Sequence, residues 1–253
     1  MPHPLERVTA FRADFARRQA AETVRLTGAF AVRDPLFPLS QEHNQLIVDA
    51  PDADPVALPE QAEQSLGPRE QYRITVLDDA LGERATPALA AAGYHRDTHV
   101  VLARETAGCA LPDTAAHPVA LAGLRDAVLR QQLLWFQDEE LARQLTDRRA
   151  ARLRGAAEVL FLAARTPEGE VAAWTDLYLD RTAGLAQLED LVTAEPHRGR
   201  GHGDTLLATG LALAATAGIP RLFLVADEKD WPRGWYARRG FTGIGRSHSF
   251  LRG

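Results

Sequence analysis

The second half of this chain alternates between two periodicities of hydrophobic and polar residues. From Leu124 to Phe136 and from Glu139 to Leu153, apolar side chains recur every three or four positions, which is typical of helices with one buried face. From Glu158 to Ala164 and from Val171 to Leu179, the apolar residues form short dense runs that favour strands. We therefore predict a pair of helices followed by two antiparallel strands.

A strand, a turn, a helix and a second strand follow in that order. The stretch from Leu185 to Thr193 is predicted to be a strand, and the apolar positions from Asp204 to Ala217 indicate a helix that is buried on one side. The dense apolar run from Arg221 to Ala226 predicts another strand. A glycine-rich turn joins the first strand to the helix, and one more helix and a final strand complete the chain.

Two stretches rich in turn-forming residues interrupt the chain. Asp49 to Pro55 and Thr106 to Asp113 contain proline, glycine and aspartate but few periodic apolar positions, so both are predicted loops. A chain of 253 residues exceeds the usual size of roughly 150 residues for one domain. We therefore predict an N-terminal domain at residues 1–110 and a C-terminal domain at residues 115–253, joined by the second loop.

The two halves also resemble each other in sequence. Arg73 to Asp79 is similar to Arg221 to Asp227, and a Gly-aromatic pair, Gly93-Tyr94 or Gly240-Phe241, follows at nearly the same distance. Two copies of a unit made of strand, helix, Gly-aromatic pair and strand are the simplest interpretation. The alternative is that any two strand-helix-strand pieces can be aligned this well.

Composition excludes several classes of protein. The chain has 45% hydrophobic and 25% charged residues and no apolar run near the ~20 residues that span a bilayer, so no membrane partner is expected. A net charge of -5 argues against binding to nucleic acid. The start of the chain lacks the pattern of a secretory signal, and the single cysteine, Cys109, excludes an internal disulfide. A cytoplasmic protein, either a monomer or a homodimer, is the resulting expectation.

The glycine-rich turn spans Arg198 to Gly203 and precedes a predicted helix. Glycines at positions 199, 201 and 203 tolerate positive φ and close approach of a ligand, so successive N–H groups can converge at the helix N-terminus. Such a concavity can bind a pyrophosphate. A plain glycine-rich connector is the alternative interpretation. A dinucleotide-binding fingerprint is disfavoured, because the strand-helix-strand opening with an acidic residue ~20 positions further on is missing.

These residues resemble the cofactor motif of the GCN5-related N-acetyltransferase superfamily, here Arg198-Gly199-Arg200-Gly201-His202-Gly203. A later motif of the superfamily, an aromatic-Tyr pair followed by Gly-Phe, corresponds to Trp235 to Phe241. The resemblance covers Pro118 to the C-terminus. It implies an α/β (α+β) fold with two acetyltransferase-like domains, each a mixed, mostly antiparallel sheet flanked by helices, of which the C-terminal one is complete.

The resemblance also implies that acetyl-CoA is the co-substrate. No metal is expected, because His95 and His99 lie on a predicted strand without a third ligand. Pantetheine would follow the last strand residues before the turn, and the diphosphate would meet the amides from Gly199 to Asp204. The implied cofactor-binding residues are Leu191, Val192, Thr193, Arg198, Gly199, Arg200, Gly201, His202, Gly203, Asp204 and Thr205.

Two residues are candidates for acid and base in the transfer. Tyr236 corresponds to the superfamily's tyrosine near the sulfur of CoA, where a phenol of pKa ~10 can protonate the leaving thiolate. Glu189 lies where many members carry an acidic residue that takes a proton from the acceptor. A packed helix tyrosine and an ion-paired strand glutamate are the alternatives. Asp190 should point to the opposite face, because strand side chains alternate.

The N-terminal copy lacks both features, since Leu89 stands in the place of Tyr236 and no glycine turn precedes the helix near Val56 to Leu66. The implied function is N-acetylation of a primary amine of a small molecule or peptide by direct transfer. A non-catalytic acyl-CoA-binding regulator and a general nucleotide-phosphate binder remain alternatives. Acidic side chains at Glu189, Asp176, Asp227 and Glu228 favour a cationic acceptor. Candidate lining residues are Leu134, Trp135, Phe136, Trp174 and Tyr178.

Overall fold

The computed structural model describes residues 4–253, which form seven α-helices and eleven strands. The helices are α1 Pro4–Gln19, α2 Leu58–Leu66, α3 Asp79–Ala91, α4 Arg125–Phe136, α5 Glu139–Asp147, α6 His202–Thr216 and α7 Pro232–Ala237. The strands are β1 Glu22–Leu26, β2 Ala29–Arg33, β3 Gln45–Val48, β4 Tyr72–Val76, β5 His95–Glu105, β6 His117–Val119, β7 Glu158–Arg165, β8 Val171–Asp180, β9 Leu185–Thr193, β10 Arg221–Asp227 and β11 Thr242–Arg252. No helix within this part of the chain is both long enough and apolar enough to cross a membrane.

The described residues pack into two compact units. The first unit comprises residues 4–102 and Val225–Gly253, and the second unit comprises Ala103–Leu224. The C-terminal segment is grouped with the N-terminal residues because β11 pairs antiparallel with β4. These packing units differ from the predicted domains at residues 1–110 and 115–253. Packing units follow contacts, whereas the predicted domains follow the repeat in the sequence, so the predicted domains stay a prediction.

In the first unit the strands lie in the order β1, β2, β3, β4, β11, β5. Strand β3 pairs parallel with β4, whereas the other registered pairs of this unit are antiparallel. The pleat of β2 directs Ala29 and Ala31 into a core with α2 and α3. It directs Phe30 and Val32 into a second core with α1. Helices therefore cover both faces of this sheet.

In the second unit the strands lie in the order β10, β9, β8, β7, β6. Helix α6 packs on one face, where Gly210 leaves room for Leu188, because a Cβ at Gly210 would lie 2.7 Å from Cδ1 of Leu188. Helix α4 packs on the other face, where Leu124 and Val128 share a core with Trp174. The predicted class, a mixed and mostly antiparallel sheet flanked by helices, is confirmed.

The predicted elements of the second unit are observed, with one difference. The predicted strand from Leu185 to Thr193 is β9 itself. The single helix predicted from Glu139 to Leu153 instead ends at Asp147 and continues as a 3₁₀ helix, Arg148–Arg154. Within this 3₁₀ helix, Arg149 and Arg152 point inward and pair with carboxylates of the sheet.

Candidate functional site

The parallel strands β9 and β10 separate partway along their length. Their pairing joins Arg221 to Leu185 and Phe223 to Gln187, and in the described chain the register ends there. Strand β9 nevertheless continues to Thr193, and its last five residues are partly exposed. On its other edge β9 remains paired with β8 as far as Thr193. Within the described chain, the edge of β9 that faces β10 therefore has no registered strand partner at residues 191–193, so an extended ligand could pair with it there.

The predicted cofactor turn leads from this open strand into α6. Gly199 and Gly201 have φ values of 74° and 85°, a region that glycine adopts without steric cost. No described atom lies within 4 Å of the position that a Cβ would take on either residue. Gly201 is the N-cap of α6 and, among the described residues, no side chain caps this helix end. The turn thus offers space and helical N–H groups to an anion.

Two histidines lie beside the turn. His197 is buried, its Nε2 lies 3.5 Å from a carboxylate oxygen of Glu170, and its ring lies edge-on to that of His202, with 6.1 Å between ring centroids. Partial burial, followed by the nearby His197 and Arg200, lowers the pKa of His202. Arg198 and Arg200 are exposed on the turn. The cationic surroundings therefore come from arginine, and His202 is held towards its neutral form.

Glu189, the candidate base, is partly exposed on β9. Its carboxylate accepts a hydrogen bond from Nε2 of Gln187, two positions earlier on the same strand face. Its backbone carbonyl accepts a hydrogen bond of 2.7 Å from Oγ1 of Thr175 on β8. Glu189, residues 191–193 and the glycine turn all belong to the second unit. The base assignment remains a prediction.

The expectation that Asp190 points away from the face of Glu189 is wrong. Asp190 has a φ of 49°, and the register between β8 and β9 shifts by one residue here, which defines a β-bulge. Asp176 lies opposite Glu189 and hence on the same face of the sheet. Nη1 of Arg152 donates to Asp176 at 2.6 Å and to Asp190 at 2.7 Å, so both carboxylates lie on that face.

The same carboxylates also bind a second arginine. Arg149 donates to Asp176 and, at 3.1 Å, to Asp190. The side chains of Arg149 and Arg152 are 2% and 1% exposed, and that of Asp176 is fully buried. Burial raises the pKa of Asp176, and the two guanidinium groups oppose that rise. The four groups form a largely buried cluster of two cations and two anions, in which the Asp190 side chain is 33% exposed.

Tyr236, the candidate acid, lies on α7 and belongs to the first unit. Its side chain is mostly buried, and its ring packs edge-on against Trp235 and Phe241, with centroids 4.9 and 5.7 Å away. The Gly-Phe part of the motif forms a tight turn, since Gly240 has a φ of 81° and the N–H of Phe241 donates to the carbonyl of Tyr236. The acid role remains a prediction.

The candidate acceptor residues fall into two groups. Trp174 and Tyr178 are buried in the core, so they cannot line a groove, and Asp176 is neutralised by its arginines. Leu134, Trp135 and Phe136, in contrast, are exposed at the C-terminal end of α4. Two of the acidic candidates belong to the first unit. Glu228 accepts a hydrogen bond from Nε of Arg246, and Asp227 accepts one from the backbone N–H of Lys229.

Among the described residues, one group has the composition of a metal site. It consists of Asp79, Glu83 and the buried His248 in the first unit. Nε2 of His248 lies 2.8 Å from Asp79, while Arg96 and Arg246 lie beside Glu83 and Asp79. The two guanidinium groups already balance the carboxylates, which disfavours a divalent cation there. That the transfer requires no metal stays a prediction.

Sequence reasoning missed the buried cluster. Arg149 and Arg152 stand in the run Arg148–Arg154, whose composition is typical of an exposed helical face. No feature of the sequence indicated the bulge at Asp190 either. The single usable signal was a spacing of three between two arginines that follow an amphipathic helix, which places both on one face.

The second unit is thus an α/β domain in which a split between two parallel strands leads into a glycine-rich turn at a helix N-terminus. The acetyltransferase (GNAT) family model matches residues 124–241. None of the curated proteins matches this chain. Residues 124–241 are therefore similar to the acetyltransferase (GNAT) family, whose members are acyltransferases.

Solved structures share the fold over nearly the whole chain. A GCN5-related N-acetyltransferase from Kribbella flavida is 14% identical with a TM-score of 0.66, covering 100% of this chain and 96% of that one. A GNAT-family acetyltransferase from Colwellia psychrerythraea is 13% identical with a TM-score of 0.53, covering 100% and 98%. A tandem GNAT protein from the clavulanic acid biosynthesis pathway is 14% identical with a TM-score of 0.55, covering 98% and 94%. At these identities the likeness concerns the fold alone.

Proposed function

We propose that this protein is an acetyl-CoA-dependent N-acetyltransferase that transfers the acetyl group directly to a primary amine. The observation that carries the proposal is the open edge of β9 beyond Gln187, which leads into the glycine turn at the start of α6. CoA consists of an extended arm that ends in a thiol, followed by a diphosphate. The open strand edge can pair with the arm, and the helix N-terminus that follows can bind the diphosphate.

The proposal assigns the backbone of the open strand and of the turn to CoA. Leu191, Val192 and Thr193 would exchange hydrogen bonds with the amides of pantetheine, as a further strand would. The amides from Gly199 to Asp204 would bind the diphosphate, with Arg198 and Arg200 adding positive charge. Thr205 donates its hydroxyl to the carbonyl of Gly201, so its predicted contact with CoA would require rotation of that side chain.

In the proposed reaction the amine nitrogen attacks the thioester carbonyl, the C–N bond forms and the C–S bond breaks. Glu189 accepts a proton from the acceptor ammonium, directly or through water, and Tyr236 donates a proton to the departing thiolate. Holding a free amine against a thioester needs no covalent enzyme intermediate. Cys109, a free cysteine in the loop after β5, therefore has no part in the transfer.

The acceptor is proposed to be a cationic amine that also carries an apolar group. Glu189 supplies the negative charge, because the cluster around Asp176 and Asp190 is balanced by its two arginines. The exposed Leu134, Trp135 and Phe136 supply apolar surface on the same unit. A cytoplasmic location, supported by the single cysteine, is part of the proposal.

A competition assay and an amine panel test this function together. Acetyl-CoA and CoA should bind in calorimetry, and a large excess of ATP or NAD should not displace them. Incubation of the protein and acetyl-CoA with mixed amines, followed by mass spectrometry, should show an acceptor gaining one acetyl group. Binding of CoA without turnover on any amine would identify a regulator instead, and equal competition by ATP would identify a general phosphate binder.

A further inference from the structure

We propose that Arg149 and Arg152 are positioning residues that hold the bulge of β9 through Asp190 and thereby set which backbone groups face CoA. This inference rests on the proposed function, because it assigns a role within the same site. It concerns four side chains of the second unit and the backbone that follows them.

The bulge matters because backbone groups in a strand alternate between its two edges. Successive residues direct their N–H and C=O groups to opposite neighbours, so one inserted residue changes which positions face each edge. The insertion at Asp190 lies directly before Leu191, Val192 and Thr193, the residues assigned to pantetheine. Loss of the bulge would turn a different set of donors and acceptors towards the opening between β9 and β10.

The buried cluster favours the bulged conformation electrostatically. Asp190 accepts hydrogen bonds from both arginines in a left-handed backbone conformation, with a φ of 49°. If Asp190, whose side chain is 33% exposed, swung outward, the guanidinium groups of Arg149 and Arg152, which are 2% and 1% exposed, would lose one of their carboxylate partners. Uncompensated buried charge is strongly unfavourable, so the cluster holds Asp190 inward.

A hydroxyl completes the restraint from the neighbouring strand. A bulge interrupts the ladder of backbone hydrogen bonds and leaves a group without its regular strand partner. Here the carbonyl of Glu189 accepts its bond from Oγ1 of Thr175, a residue that is fully buried on β8. The hydrogen bond from Thr175 therefore also holds the backbone of Glu189, the candidate base.

Two substitutions at Asp190 separate the charge from the backbone conformation. Glycine and asparagine both tolerate positive φ, so neither opposes the bulge locally. Asp190→Gly removes the tether completely, whereas Asp190→Asn keeps an oxygen that can accept one bond. Asp147→Asn is the matched control, because it weakens a two-bond pair with Arg125 elsewhere on the same unit.

Two measurements are made on each folded variant well below its melting temperature. The first is hydrogen exchange of peptides covering residues 186–194 without ligand, and the second is the Kd for CoA by calorimetry. We expect Asp190→Gly to exchange faster there and to bind CoA about tenfold more weakly, as the loss of one or two well-placed hydrogen bonds would cause. Asp190→Asn should show a smaller change in both, and Asp147→Asn should match the parent.

A folded Asp190→Gly variant with parental exchange, or with faster exchange but a parental Kd, would overturn the inference. If that variant does not fold, Thr175→Val replaces it, since it removes the hydroxyl bond to Glu189 at nearly constant volume and should change both measurements in the same direction. Thr175→Val with parental values then overturns the inference. If the parent protein binds no CoA, the proposed function is wrong. The hydrogen-exchange data alone could not show that.

Discussion

The two copies of the repeated unit share a backbone turn but differ in the residue that it presents. In the N-terminal copy Gly93 has a φ of 85° and the N–H of Tyr94 donates to the carbonyl of Leu89 at 2.9 Å. In the C-terminal copy Gly240 has a φ of 81°, and the N–H of Phe241 donates to the carbonyl of Tyr236 at 3.2 Å. Equal geometry supports the repeat, and Leu89 explains why only the C-terminal copy has a phenol at the position of Tyr236.

The parallel strand pairs show the same contrast. Strand β3 ends at Val48, where its pairing with β4 also ends, whereas β9 continues six residues beyond its last paired residue, Gln187. The helix after β3 has Ala57 as its N-cap, and the helix after β9 has Gly201. The two copies therefore share a fold, and the strand extension and the glycine turn that form the candidate cofactor site occur in the C-terminal copy.

The largest expected effect concerns the hydroxyl that distinguishes the copies. Tyr236→Phe should lower kcat by about 10²-fold and leave the affinity for acetyl-CoA unchanged, because it removes the proton donor and keeps the ring. Tyr94→Phe removes a phenol hydroxyl from the N-terminal copy at the position that corresponds to Phe241, where that hydroxyl is buried without a partner among the described residues. Steady-state kinetics of that control should match the parent. Equal loss in both variants would contradict the account.

The next effect concerns the glycine turn. Gly201→Ala should weaken CoA binding by at least about tenfold, because a Cβ would intrude where the diphosphate approaches. It should also lower the melting temperature slightly, since a φ of 85° costs alanine about 1–2 kcal/mol. Gly218→Ala, at the other end of α6, carries the same strain with equally open surroundings and should leave calorimetric affinity intact. A parental Kd for Gly201→Ala would refute the turn as the binding site.

A smaller effect is expected for the candidate base. Glu189→Gln should lower the rate several-fold at neutral pH and less at alkaline pH, where the acceptor amine loses its proton unaided. The pH-rate profile measures this difference, with Glu158→Gln on β7 as a surface control. If the profile keeps the parental rising limb and rate, Glu189 is a structural residue and the proton leaves by another route.

The smallest effect is expected when the missing phenol is added to the N-terminal copy. Leu89→Tyr places a phenol at the matching position, yet CoA stoichiometry and kcat should not rise, because the strand extension and the turn are still absent there. Leu89 is fully buried, so the variant should be less stable than the parent. A second CoA site in calorimetry would show that the N-terminal copy is less degenerate than we infer.

Local sequence signals sufficed for much of the second unit. The strand from Leu185 to Thr193 was predictable because its apolar run ends at a proline and a glycine-rich turn. The positive φ values at Gly199 and Gly201 follow from residue type alone. The resemblance to the superfamily's two motifs, and not periodicity, identified Tyr236 and the turn as candidates.

Features that depend on distant partners could not be predicted in this way. The pairing of β11 with β4 joins residues that are 172 (Val76 and His248) to 180 (Tyr72 and Arg252) positions apart, and no local periodicity encodes it. The bulge at Asp190 depends on Arg149 and Arg152, whose burial is stable only after the sheet supplies two carboxylates. The alternation rule failed at Asp190 for that reason.

A crystal structure of the protein grown with CoA is the most direct test of where CoA binds. We expect the diphosphate to lie against the amides from Gly199 to Asp204 and the pantetheine arm to lie along Leu191 to Thr193, with no CoA in the N-terminal copy. Density for CoA at the start of α2, or against neither helix while calorimetry confirms binding, would contradict the assignment of the site to the C-terminal copy.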